Sequence, residues 1–262
     1  MRLLRSSLLK LLRRPATRRT LVILALLLAF IYLAIGASAR AALDAQSRES
    51  IRATLEFPAA HGSLAGILLI FVGLAGAAYA GLVAGSEWGW GTFRVALARG
   101  ESRVRYVIGL YVAVGLLALV GWVVLYALGL GLIILGGALG GIPAGNPLDQ
   151  QDLGRFVALV AGGGWGILME AAMGFSVAFV TRSPVAGITV MAGLYFVEQF
   201  AQLIVTSDIW RLAPITAASS LVSTAGDEGI GVALIGPLLV TAMYLFGAIG
   251  LACLFARRTE VA

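Results

Sequence analysis

The sequence predicts an all-α integral membrane protein with six transmembrane helices. Three observations carry that prediction. The chain is 60% hydrophobic and only 12% charged, whereas soluble domains carry roughly 25% charged residues. Apolar runs of about 20 residues, the length that spans a hydrocarbon core ~30 Å thick, recur along its whole length. Charge is segregated into the short segments between those runs. The 34 glycines sit mostly inside the runs, as expected of membrane helices, where glycine lets backbones approach closely.

Residues 1–19 hold seven basic residues and no acid. Leu4, Leu8, Leu11 and Leu12 recur at helical spacing among Arg2, Arg5, Lys10, Arg13 and Arg14. This predicts an amphipathic interfacial helix on an anionic membrane surface, ended near Pro15. The first span follows at about 20–38. A basic region, an apolar region and the small residues Ala37-Ser38-Ala39 also fit a signal peptide. The length of both regions favours an uncleaved anchor. Residues 39–62 form a polar loop, with His61 near a helix start.

The second span is about 63–85, and the segment 86–105 leaves the membrane. No charge occurs from Tyr106 to Leu148. This run reads as one long helix at 106–140 that loosens in its glycine-rich outer part. Spans four and five, at about 155–180 and 185–205, flank the turn Thr181-Arg182-Ser183-Pro184. They contain Glu170 and Glu198. Residues 206–231 are too apolar for a free loop and predict short helices or a re-entrant piece. The sixth span, about 232–255, holds Cys253 as a small packing residue and ends at Arg257-Arg258.

Charge counting tests this topology. One side receives the seven basic residues of 1–19 with Arg94, Arg99, Arg103, Arg105, Arg182, Arg257 and Arg258. The other receives Arg40, Arg48, Arg52, Arg155 and Arg211 and most of the acids. Lysine and arginine stay on the cytoplasmic side, so both termini are expected inside. Splitting the 106–140 helix would move Arg182, Arg257 and Arg258 outside and degrade the pattern.

Scarce residues exclude function classes. A net charge of +6 can signal nucleic-acid binding, but here the charges flank apolar spans, so no nucleic-acid partner is expected. A single Cys253 and a single His61 rule out an internal disulfide and a Cys/His metal cluster. A phosphate-cradling P-loop needs Lys after Gly. The lone lysine, Lys10, follows Leu9. No cofactor, metal or catalytic residue is therefore expected on this chain.

The stretch Gly85-Ser86-Glu87-Trp88-Gly89-Trp90-Gly91-Thr92-Phe93-Arg94 is the most informative. It could be a plain interfacial loop with an aromatic belt. It also reads as a short cytoplasmic helix that docks on a partner, with Trp88, Trp90 and Phe93 as apolar knobs and Glu87, Arg94, Arg99 and Arg103 as charged contacts. The pattern Glu87-x-x-x-Gly91-Thr92-x-Arg94, then Leu97, Ser102-Arg103 and Tyr106, resembles the stretch after the second span of ABC-2 type ABC transporter permeases. The basic N-terminal helix, the Arg-Ser-Pro turn and Trp210-Arg211-Leu212-Ala213-Pro214 before the last span are similar too. Ala98-Arg99-Gly100-Glu101 departs from the isoleucine- or proline-containing run common there.

The resemblance implies one transmembrane domain over 1–262 in a prokaryotic inner or plasma membrane. It implies a permease subunit, paired with a second permease copy or relative, that engages a separate ATP-binding cassette ATPase. The 86–103 stretch would be the coupling helix, with Glu87, Trp88, Gly91, Thr92, Phe93, Arg94 and Arg103 at the partner surface. Most such permeases export cargo. A stand-alone channel or secondary transporter, a non-transporting assembly module and an intramembrane enzyme are the rival classes. The last lacks a His or Asp inside any span.

Glu170 and Glu198 are costly inside a membrane and mark either a cargo pathway or a structural contact. Gln202 lies one turn beyond Glu198 on the same helix face. The glycine pairs Gly81/Gly85, Gly136/Gly140 and Gly162/Gly166 predict close helix crossings, within the subunit or at a dimer seam.

Overall fold

A computed structural model describes residues 2–41, 44–149, 152–205 and 207–259, with the side chains of 2–6 and 45 excepted. The leucine and arginine alternation at Arg2, Leu4 and Arg5 therefore lies outside the described side chains. Ten α-helices make up the described chain: α1 (Arg2–Leu12), α2 (Pro15–Ala41), α3 (Ala45–Leu55), α4 (Ala59–Gly89), α5 (Thr92–Ala98), α6 (Arg103–Gly140), α7 (Leu153–Thr181), α8 (Pro184–Ile204), α9 (Pro214–Glu228) and α10 (Ile235–Arg258). Six of them, α2, α4, α6, α7, α8 and α10, are long and apolar enough to cross a membrane. Each overlaps one expected span. The run from Tyr106 is one unbroken helix of 38 residues, Arg103–Gly140. At 1.5 Å per residue it is about 57 Å long, well beyond a hydrocarbon core of about 30 Å.

Local chemistry sets the breaks. Pro15 opens α2 three residues after α1 ends, where its missing N–H is harmless. Asp44 caps α3 by accepting from the Ser47 N–H at 2.6 Å. Ser102 and Ser183 cap α6 and α8 by accepting from the Arg105 and Ala186 N–H groups at 3.4 and 3.3 Å. Arg182 ends α7 in the left-handed conformation, φ 58°. That strain costs about 1 kcal/mol or more. The guanidinium offsets it by stacking over Trp88 at 4.6 Å and Phe255 at 5.6 Å, each contact worth roughly 0.5–1 kcal/mol or more.

The helices form a centre and a periphery. In α4 and α7 the most apolar 18-residue window is 50% and 56% buried, against 17% in α2, α8 and α10. Lipid is as apolar as leucine, so close packing and hydrogen bonds hold membrane helices together. The α4–α7 seam is built that way. Gly174 lies against the Ala77 carbonyl, Gly73 against Glu170, and Gly81 against Gly174 and Gly187. A β-carbon at Gly73 or Gly174 would collide. All three predicted glycine pairs are filled within the subunit: Gly85 by Pro184, Gly136 and Gly140 by Tyr32, Gly36 and Ala39, and Gly162 and Gly166 by Leu221, Leu69 and Ala218.

The contacts also sort the connections into two ends. Lys10 reaches Glu87, Arg103 reaches the last turn of α10, and Arg182 reaches Trp88 and Phe255. The segments expected on one side of the membrane thus meet at one arginine-rich end. At the opposite end the Phe57 N–H donates to the Ala144 carbonyl at 2.8 Å, and Gly229 lies against Arg155. His61 is in the first turn of α4, not in a loop, and is 3% exposed. It is wedged among Phe57, Tyr126 and Phe156 and hydrogen-bonded to the Pro147 carbonyl at 2.9 Å.

Candidate functional site

The segment 86–105 is built around Glu87. Its side chain is 0% exposed although it stands only two residues from the end of α4. A buried carboxylate must be paired and hydrogen-bonded. Glu87 accepts from Lys10 Nζ at 2.8 Å, from the Thr92 hydroxyl and from the Tyr106 hydroxyl. Those donors come from α1, α5 and α6, so one carboxylate ties four helices at the arginine-rich end.

Gly91 makes this possible. It takes φ 67°, a left-handed conformation open to glycine at no steric cost, and reverses the chain from α4 into α5. Phe93, 0% exposed, then points inward. It contacts Trp88 at 4.8 Å, Phe179 at 5.5 Å and Tyr106 at 5.5 Å between ring centroids. Arg103 donates to the Ala256 and Arg257 carbonyls at 3.3 and 3.2 Å, and to the Thr259 carbonyl. It thereby satisfies the unpaired carbonyls and the negative end of the α10 dipole.

These positions revise the expected roles. Glu87 and Phe93 are inside, Thr92 and Trp88 are half-buried, and Arg103 faces α10. Glu87 and Phe93 shape the segment from inside, whereas Trp88, Thr92 and Arg103 keep part of their surface exposed. Arg94, Val95, Ala98 and Arg99 remain exposed on α5 and its end, together with Trp90, which is 64% exposed. Tyr106 was marked in the sequence pattern, whereas Lys10, Arg182, Phe179 and Phe255 were not singled out from sequence for this site. Lys10 carried a usable signal: it is the only lysine, in a helix otherwise charged by arginine.

The two acids within the spans differ. Glu198 on α8, 2% exposed, caps α9. It accepts from the Ile215 N–H at 3.3 Å, the Thr216 N–H at 2.9 Å and the Thr216 hydroxyl at 3.0 Å. Gln202 donates to that same hydroxyl at 2.7 Å. The stripe Glu198-Gln202 is therefore the seat of α9. That helix runs beside α7 from Ala218 at Gly166 to Gly229 at Arg155, with Ile215 packed on Ala77 and Met191. The apolar 206–231 segment is thus a short 3-10 turn, Asp208–Leu212, followed by a helix set into the bundle; Thr206 lies outside the described residues. Glu170 on α7 is 1% exposed, and neither carboxylate oxygen has a hydrogen-bond partner.

A cavity of about 730 Å³ opens toward the opposite end, its largely apolar wall broken by His61, Asp152, Arg155, Tyr195, Gln199 and Asp227 among others. Among the described residues, no group of three His, Cys, Asp or Glu side chains could hold a metal. No protein-family model matches the chain, and no curated protein gives a significant match.

Proposed function

We propose that this chain is the membrane-spanning permease subunit of an ATP-driven exporter of the ABC-2 type, with both termini in the cytoplasm of a prokaryotic cell. A separate ATP-binding cassette subunit pushes on α5, and a second permease subunit completes the pathway. The observation that supports this reading best is the Glu87 clasp. It makes α5 a short lever whose inner face is fixed to α1, α4 and α6 while Trp90, Arg94 and Arg99 face out. Force applied there reaches three helices through one buried carboxylate.

The test is affinity purification of the intact chain from its own host, with co-purifying proteins identified by mass. An ATPase carrying a P-loop is expected. The double variant Arg94→Ala/Arg99→Ala should lose it, whereas Arg155→Ala, at the opposite end, should not. Transport that continues without any ATPase overturns the proposal.

One observation favours the second reading, a secondary transporter: Glu170 is a buried carboxylate inside a span without a hydrogen-bond partner, and acids within spans mark ion and proton pathways in transporters. That reading expects transport to stop when the proton gradient is collapsed and to survive ATP depletion. The permease reading expects the reverse.

A further inference from the structure

The cavity at the end opposite the arginine-rich one lies among α4, α7, α8 and α9. Its volume of about 730 Å³ is within the ~300–1,000 Å³ range of ligand pockets. Glycine keeps it open. Gly62 and Gly66 stand one turn apart on α4 and line it, and a β-carbon at either meets nothing within 4 Å. The pairs Gly81/Gly85, Gly136/Gly140 and Gly162/Gly166 are filled by neighbouring helices; this pair is not.

The wall has two characters. Leu69, Ile70, Leu159 and Val222 supply hydrocarbon. α8 and α9 supply polar groups at helical spacing: Tyr195 and Gln199 are one turn apart, and Ser219, Ser223 and Asp227 follow one another by a turn on the face of α9 that lines the cavity. These groups are available. Gln199, Ser219 and Asp227 are exposed and, among the described residues, make no hydrogen bond or ion pair. The Ser223 hydroxyl donates to the Ser220 carbonyl at 3.1 Å and keeps its lone pairs free to accept. Charge then selects the occupant. Arg155 is the one arginine or lysine at the wall, and Asp152 faces it at 3.8 Å. His61 is held by Tyr126 and the Pro147 carbonyl. Asp227 is left as an unbalanced negative charge. A cation carried on an apolar body matches this set, with acceptors on α9 and the face of the Tyr195 ring for its charge.

We propose that this cavity binds an amphipathic organic cation, with its charge at Asp227 and Ser223 and its apolar body against Leu69, Ile70 and Val222. Binding of this kind needs only the folded chain, so it stands or falls independently of whether the chain partners an ATPase. That the bound cation is also the cargo rests on the permease reading and is not what the binding experiment measures.

The experiment is equilibrium binding to the purified full chain in detergent, with protein-free micelles as the blank. The probes are tetraphenylphosphonium and tetraphenylborate, which share a shape and differ in the sign of their charge. Saturable binding of one tetraphenylphosphonium per chain is expected, with tetraphenylborate clearly weaker. Asp227→Asn should weaken the cation about fivefold, the upper end of what an exposed ion pair supplies. Asp208→Asn removes an exposed acid that does not line the cavity and should leave binding unchanged. Gly66→Trp should abolish binding with every acid intact, whereas Gly66→Ala should keep it. If Gly66→Trp does not fold, Gly62→Phe fills the same wall and is read instead. Absence of saturable cation binding overturns the proposal. So does equal binding of the two probes, which would mean an apolar hole without charge selection. Cation binding that ignores the cavity-filling variants, or that falls equally with Asp208→Asn, also overturns it, as that would mean adsorption at the surface.

Discussion

The α8–α9 corner and the α4–α7 seam each bury a glutamate. Their surroundings are opposite. Glu198 receives three hydrogen bonds from the start of α9. Glu170 receives none and lies against the bare backbone of Gly73. A polar group inside a membrane protein is kept either because it holds the structure or because it does something else. Glu198 meets the first description in full. Glu170 does not, and its position in the tightest seam of the bundle makes it the acid to associate with movement or with cargo.

Breaking the satisfied side should have the largest effect. Glu198→Ala removes the acceptor of two helix N–H groups and a hydroxyl, and should destabilise the protein by about 3 kcal/mol. Thermal unfolding in detergent would show a clear drop, and α9 should become open to cysteine labelling. A loss below about 1 kcal/mol would make the cap incidental and dissolve the contrast.

The unsatisfied side should respond with the opposite sign. Glu170→Met keeps the volume and removes a buried acid with no partner, so stability should rise by about 2 kcal/mol, as replacements of buried ionic groups by packed apolar ones often do. Transport should fall at the same time. Higher stability with unchanged transport would leave Glu170 without a role in the pathway. Lower stability would mean that the seam depends on it after all.

The clasp at the arginine-rich end tests the same contrast more gently. Lys10→Met leaves Glu87 with Thr92 and Tyr106 as donors. The Lys10 side chain is 39% exposed, and water screens part of its attraction. The cost should therefore be about 1 kcal/mol, not the several that a wholly buried pair would lose. A differential change is expected in limited proteolysis, with α1 released before the spans loosen.

Much of this architecture was legible in the sequence. Six apolar runs became six long helices because hydrocarbon thickness and helix rise leave little alternative. Tyr106 to Gly140 read as one helix because no charge or proline interrupts it. Glu198 and Gln202 read as one polar face because four residues make a turn. The roles of Glu87, Phe93 and Arg103 were not legible, although the residues themselves were marked. Whether a charged side chain at a helix end faces water or the interior depends on what the fold brings to it. Lys10 is 77 positions from Glu87, and the α10 carbonyls are more than 150 from Arg103. No local pattern encodes those distances. His61 was misjudged for the same reason, since its partners Tyr126 and Pro147 lie far along the chain.

The smallest effect gives the sharpest control on the argument. Tyr32 and Tyr111 are both buried aromatic residues on spans. The Tyr111 hydroxyl donates to the Leu168 carbonyl at 2.9 Å, whereas the Tyr32 hydroxyl has no hydrogen-bond partner. If satisfaction decides what a buried polar atom is worth, the same one-atom deletion must give different results at the two sites. Tyr111→Phe should cost about 1 kcal/mol, and Tyr32→Phe should be neutral or gain a few tenths. Both substitutions preserve ring packing, so thermal unfolding reads the hydroxyl alone. Equal losses would mean that Tyr32 has a partner. The same doubt would then extend to Glu170, because the case for that residue rests on its having none.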